Sequence, residues 1–280
     1  MLCIRRSLMP LHGLLLSLAG LLSFLLIPCA VPLSSNPMKT RILLLGDSTT
    51  IGNVCREVDP QAPQYEQILA QVLVSEKSNP LVEVLNKGHD GDFIHHLLVS
   101  GRYDREIASL KHINYIIIRY GVNDMAKRED VASNFPLDYQ LLIKRLRQNF
   151  PDAQIVPSLV IPFLGPEKDE TINALIRQVA KTEKLPVFDA YSPFQNELAD
   201  GKLSLYYRSY PWDLIPENKR VIAAPFVHGK KVTVMDGRLD VHFGDLPGWF
   251  DERHPNPTGY HVLGLATGKF LSNLMLSQQK

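Results

Sequence analysis

Short uninterrupted apolar runs recur along this chain, each ending in a turn, and between them lie stretches whose apolar residues return every three or four positions. The runs at 42–45, 82–85, 115–118, 155–160 and 187–188 are rich in β-branched residues, the pattern of strands buried on both faces. The stretches at 64–77, 94–110, 136–149, 170–184 and 257–276 carry helical periodicity; in the last, Leu263, Ala266, Phe270 and Leu274 form one apolar stripe. Strand and helix alternating at this spacing predict an α/β fold, a central parallel sheet with helices on both faces. Residues 36–280 show no repeat, no low-complexity segment and no interior boundary, so they are expected to form one domain.

Two regions depart from the alternation. Residues 1–35 read as a leader: Arg5 and Arg6 precede an apolar run, and small or turn-forming residues follow at Pro28-Cys29-Ala30. Export from the cytoplasm is expected, either with cleavage or with the apolar run kept as an N-terminal membrane anchor, since it is about 20 residues long. Residues 199–249 form an insertion rich in aromatics, including Tyr206, Tyr207, Tyr210, Trp212, Phe226, Phe243 and Trp249. Within it, 232–241 predicts a hairpin turning at Asp236-Gly237. The aromatics have two readings: platforms for sugar rings, with Arg208, Asp213 and Lys230 bonding hydroxyls, or a small satellite core that touches no substrate.

Charge narrows the choice of partners. Thirty Lys and Arg stand against 29 Asp and Glu with no basic stripe, which argues against nucleic acid, and a membrane enters only through an uncleaved leader. Of three cysteines, Cys3 and Cys29 lie in the leader, so Cys55 has no disulfide partner in the mature chain and reads as a buried, inert thiol. His89, His95 and His96 lack carboxylate or thiol company at ligand spacing and read as solvated or capping residues.

Chemistry gathers where the strands end. The first strand breaks into Gly46-Asp47-Ser48, and the second into Asn86-Lys87-Gly88-His89-Asp90-Gly91. The third leads to Gly121-Val122-Asn123-Asp124, and Asp251-Glu252-Arg253-His254-Pro255-Asn256 precedes the last helix. Each block alone reads as a turn or a cap; Asn256 as N-cap with Pro257 behind it is certainly a helix start. Together they supply a hydroxyl nucleophile, a base, a carboxylate and oxyanion donors, the set that acyl transfer needs.

These four blocks, in this order, resemble the SGNH (GDSL-type) hydrolase superfamily, and they bracket the chain from about residue 41 onward. The resemblance implies a flavodoxin-like three-layer α/β/α sandwich, in agreement with the alternation. It implies Ser48 as nucleophile, His254 as general base and Asp251 as the carboxylate that orients it. The N–H groups of Ser48 and Gly91 with the side-chain amide of Asn123 would form the oxyanion hole. No metal or organic cofactor is implied. Asp47 and Asp124 read as structural, holding backbone amides at loop ends.

The expected activity is therefore that of an exported serine esterase working through a covalent acyl-enzyme. The expected substrate is a small-molecule or carbohydrate ester with a small acyl group, acetyl first. Lipid ester, lysophospholipid or thioester hydrolysis is the alternative, with acyl transfer to a sugar hydroxyl beside it. From another class comes a binding module that keeps the fold without the chemistry.

Overall fold

The computed structural model describes residues 39–76, 81–200 and 203–278. The leader read in 1–35 lies outside the described residues. Four strands, β1 (Thr40–Gly46), β2 (Val82–Gly88), β3 (Tyr115–Arg119) and β4 (Gln154–Pro157), form a sheet in the order β2-β1-β3-β4, every pair parallel. The central β1 and β3 are buried, whereas the edge strand β2 is half-buried along its whole length. Ile42 to Leu45 are fully buried, each stabilising by on the order of 1.5–3 kcal/mol, which anchors the strand that ends at the Ser48 turn.

Side chains alternate between the two faces of the sheet. Leu43, Leu45, Ile116 and Ile118 pack with one set of helices: α4 (Ile94–Val99), α6 (Val131–Asn149) and α7 (Pro166–Glu183). Ile42, Leu44 and Ile117 pack with the other: α3 (Tyr65–Ser75), α8 (Tyr191–Ala199) and α11 (Pro257–Gln278). The result is a three-layer α/β/α sandwich. Short helices α1 (Ser48–Ile51), α2 (Asn53–Val58) and α5 (Val122–Lys127) follow β1 and β3 at the carboxyl rim of the sheet.

Several elements differ from the sequence expectation. The strand expected at 187–188 is a single parallel bridge, Ser158 to Phe188, made by Phe188 N–H to the Pro157 carbonyl and Leu159 N–H to the Phe188 carbonyl, both 2.9 Å. Pro157 and Pro186 lack the N–H donors that would lengthen the ladder. The helix expected over 94–110 stops at Val99, because Gly101 takes φ +75°, and the chain resumes as a π-turn at Tyr103–Ile107. Helix α6 begins five residues before Pro136, which therefore lies inside it rather than at its start.

The insertion contains a second, antiparallel sheet: β5 (Arg208–Pro211), β6 (Val227–His228) and β7 (Lys231–Val234), in the order β5-β7-β6. The hairpin turns at Gly229-Lys230, not at Asp236-Gly237. Gly229 takes φ +61°, the conformation that a two-residue hairpin loop asks of its first residue. Asp236-Gly237 instead leads into the short helix α10 (Asp240–Phe243), which follows α9 (Arg220–Ala223). Tyr210, Phe243 and Trp249 pack with Ile215, Val232 and Val234 into a satellite core, and Trp212 and Phe226 lie against it. Phe243 and Trp249 stack at 4.9 Å, and the Trp249 indole N–H donates to Asp240 at 2.7 Å. Arg208, expected among the sugar-binding groups, is buried and bonds both carboxylate oxygens of Asp240. Most of these aromatics thus hold the insertion together.

Candidate active site

Ser48 comes one residue after β1 and opens α1. Asp47 caps that helix: its Oδ1 accepts from the Thr49 N–H at 2.9 Å and from the Thr49 hydroxyl at 2.8 Å. A side chain at Gly46 would collide with Thr50 Oγ1 at 2.1 Å and with the Arg119 carbonyl at 2.9 Å, so glycine lets the strand run this close under the turn. Arg119, buried in β3, donates to the Thr49 carbonyl at 3.0 Å and to the Thr50 hydroxyl at 3.1 Å, tying the Ser48 turn to the neighbouring strand.

His254 comes from the far end of the chain. The stretch just before β5 is stitched to its loop by a bridge between Tyr206 and Pro255, by Tyr207 N–H to the His254 carbonyl (3.2 Å) and by Asn256 N–H to the Leu205 carbonyl (3.0 Å). Asn256 caps α11 through the Gly259 N–H, 2.9 Å away. Held in this way, His254 Nε2 lies 2.8 Å from Ser48 Oγ. Phe163 meets the imidazole edge-on with ring centroids 5.2 Å apart, and Tyr207 covers it at 5.9 Å.

The carboxylate at the other ring nitrogen is Glu252. Its Oε1 lies 2.6 Å from His254 Nδ1 and also accepts the backbone N–H groups of Arg253 and His254, at 3.0 and 3.1 Å. Burial pushes the Glu252 carboxyl up, but the His254 side chain and backbone N–H and the Tyr207 hydroxyl outweigh burial and hold it below the ordinary range. Asp251, expected in this place, is exposed and turned away, its Oδ2 lying 2.9 Å from where a Cβ on Gly248 would stand. The assignment of Asp251 to His254 is therefore corrected to Glu252. With Asp251 N–H bonded back to the Gly248 carbonyl at 3.2 Å, the chain turns so that the longer side chain, two residues before the histidine, meets Nδ1.

Gly91 and Asn123 line the same cleft as Ser48 and His254, together with Tyr207 and Tyr260, in a space of about 370 Å³. The N–H of Ser48, the N–H of Gly91 and the carboxamide of Asn123 make no hydrogen bond among the described residues. The Gly91 loop is held from beneath: buried Asp92 accepts from Arg102 and from the Tyr120 hydroxyl, both at 2.8 Å, and pairs with His96 Nδ1 at 2.6 Å. Gly91 itself takes φ +67°, and its carbonyl accepts from Lys127 at 2.6 Å. Asn123 is fixed by its neighbour, since Asp124 Oδ1 accepts the Ile94 N–H at 2.9 Å and joins α5 to α4.

Cys55 also borders the cleft. It is 2% exposed, donates to the Pro255 carbonyl at 3.4 Å, and burial pushes its thiol up to about 12, which leaves it un-ionised and unreactive. His89 and His95 lie outside this constellation.

Residues 44–210 match the GDSL-like lipase/acylhydrolase family. The chain belongs to that family. Its fold is shared with a protein from Chitinophaga pinensis DSM 2588 described as a possible lipase, at 16% identity and a TM-score of 0.53, over 84% of this chain and 99% of that one. An acetylxylan esterase from Geobacillus stearothermophilus is similar at 16% identity and a TM-score of 0.50, over 83% and 95%. No curated protein matches the chain. As a GDSL-family member it is an ester-bond hydrolase, and among the described residues no helix is long and apolar enough to cross a membrane.

Proposed function

We propose that Ser48, His254 and Glu252 are the catalytic triad of an exported serine esterase that removes small acyl groups, acetyl above all, from carbohydrate. The observation that carries the mechanism is the unbroken relay from Ser48 Oγ to His254 Nε2 at 2.8 Å and from His254 Nδ1 to Glu252 at 2.6 Å. It opens into a cleft lined by three groups with N–H donors to spare. His254 takes the Ser48 proton as Oγ attacks the acyl carbon. The Ser48 and Gly91 N–H groups and the Asn123 amide receive the developing oxyanion. The same proton passes to the leaving alkoxide, and a water deprotonated by His254 then releases the acid and restores Ser48. Glu252 keeps the imidazole proton on Nδ1 and stabilises the imidazolium.

The cleft, about 370 Å³ and lined in part by Tyr207 and Tyr260, has room for a small acyl ester. Export rests on the charged and apolar leader of residues 1–35. The test compares wild type with Ser48→Ala on acetylated xylooligosaccharides and on p-nitrophenyl esters of increasing acyl length. Acetate release that disappears with Ser48 supports the reading. Turnover rising with acyl length would replace it with a lipid esterase, and full activity in Ser48→Ala would refute the nucleophile.

A further inference from the structure

A second cleft of about 230 Å³ is lined by Arg253, the neighbour in sequence of the His254 that lines the catalytic one. Both open at the carboxyl rim of the sheet. The catalytic cleft is built on the turns after β1, β2 and β3, the second on the segment after β4, the first turn of α7, and α8. Phe163 touches one lining residue of each: its ring meets His254, and its carbonyl accepts from Arg253 Nη1 at 2.8 Å. Chain alternation divides the remaining residues, so that Tyr207 and His254 face the first cleft while Tyr206 and Arg253 face the second.

The second cleft has the wrong character for an acyl chain. Tyr191 and the 40% exposed Phe250, whose ring has the Arg208 guanidinium 5.1 Å from its centroid, line it with aromatic carbon, exposed Gln195 offers an amide, and Arg253 offers charge. The half-buried Arg253 guanidinium makes the single bond to Phe163 and no ion pair among the described residues. The other charges in the cleft are already engaged. Arg208 is held by Asp240, and buried Asp169 accepts the N–H groups of Phe163 and Leu164 at 2.8–3.3 Å. Burial raises the Asp169 carboxyl, against the pull of those N–H groups and of the nearby Arg253 charge.

We propose that this second cleft is a subsite for a carboxylate-bearing sugar residue in the glycan whose ester sits at Ser48, with Arg253 as partner of the carboxylate and Tyr191 and Phe250 as walls for the ring. A guanidinium with unused N–H groups beside aromatic faces matches a planar carboxylate on a sugar ring. The inference rests on the carbohydrate-esterase reading but is tested by binding, without turnover.

The experiment is calorimetric titration of the full Ser48→Ala chain with xylotetraose and with xylotetraose bearing one glucuronate branch. The branched sugar should bind about tenfold tighter at low salt, an advantage that shrinks as salt is added. Arg253→Gln should abolish the difference, and Gln195→Glu, which adds charge at an exposed position, should reduce it independently. Equal affinity for the two sugars, or a preference that survives in both variants, overturns the proposal. Acetate release by the wild type from the unbranched acetylated sugar shows separately whether the carbohydrate-esterase reading stands.

Discussion

Oε1 of Glu252 stands 2.6 Å from Nδ1 of His254, whereas Asp251, three residues before the histidine, is exposed and turned toward Gly248. The same Glu252 oxygen takes two backbone N–H groups, so the loop that carries the histidine is ordered by the carboxylate that orients the ring. On the proposed mechanism, Glu252→Gln should lower kcat by about 10²–10⁴-fold, because an amide neither fixes the tautomer nor stabilises the imidazolium. Asp251→Asn should leave kcat within about twofold. Steady-state kinetics on p-nitrophenyl acetate decide between them, and a collapse in Asp251→Asn with Glu252→Gln intact would reverse the assignment.

That pair of acids also shows where reading the sequence ends. Asp251-Glu252-Arg253-His254 places two carboxylates within reach of one imidazole, and spacing selects neither; the turn at Gly248 does. The sheet was legible because runs such as Ile42 to Leu45 are apolar on both faces, a pattern that depends on no distant partner. That Ser48, Gly91, Asn123 and His254 meet in one cleft was legible from four blocks taken together and in order, since each block alone reads as a turn or a cap. The π-turn after Gly101 and the hairpin at Gly229 were not, since local turn signals of equal strength stood elsewhere, at Asp236-Gly237 among them. Nor does sequence separate aromatics that fill a satellite core from those that face a ligand. Tyr207 and Trp249 look alike until the strand pairing is known.

Asn123 lines the cleft with its carboxamide unengaged among the described residues, while the adjacent Asp124 carries the structural bond to Ile94. Division of labour between neighbours means that Asn123→Ala removes a donor without cutting the tie between α4 and α5. Expected is a loss of about 10²–10³-fold in kcat with KM little changed, the signature of an interaction made in the transition state. A rise in KM at unchanged kcat would instead make Asn123 a substrate-binding group.

Two helices meet so closely that glycine is required between them. A Cβ at Gly264 of α11 would stand 2.5 Å from Ile68 Cγ2 and 2.9 Å from Ile68 Cβ of α3, and one at Gly268 would stand 2.4 Å from Val72 Cγ1. Alanine gains up to about 1 kcal/mol of helix propensity over glycine, but overpacking against a branched, buried side chain costs about 1–3 kcal/mol. The steric term should win, so Gly264→Ala should lower stability in urea unfolding. Gly264→Ala combined with Ile68→Leu, which removes the Cγ2 methyl group at the contact, should recover part of the loss.

Asp124 gives the molecule a pH dependence of known sign. Burial, reinforced by the charge of Asp47, raises its carboxyl to about 7 from an ordinary value of 3.8, against the pull of the Ile94 N–H, and its Oδ2 has no hydrogen-bond partner among the described residues. An acid raised in the folded state binds more protons folded than unfolded. Its favourable contribution is complete below the unfolded value and is lost as pH rises through the folded one. The wild type should therefore lose stability between about pH 4 and pH 7 through this group. Asp124→Asn copies the neutral acid, keeps Oδ1 for the Ile94 N–H and cannot ionise. Thermal unfolding from pH 5 to pH 8 should show the variant gaining on the wild type as pH rises, with the crossing of the two curves set by the asparagine N–H₂ that faces the unpaired position. Parallel curves would mean that Asp124 is ionised throughout this range and that another group stabilises its charge.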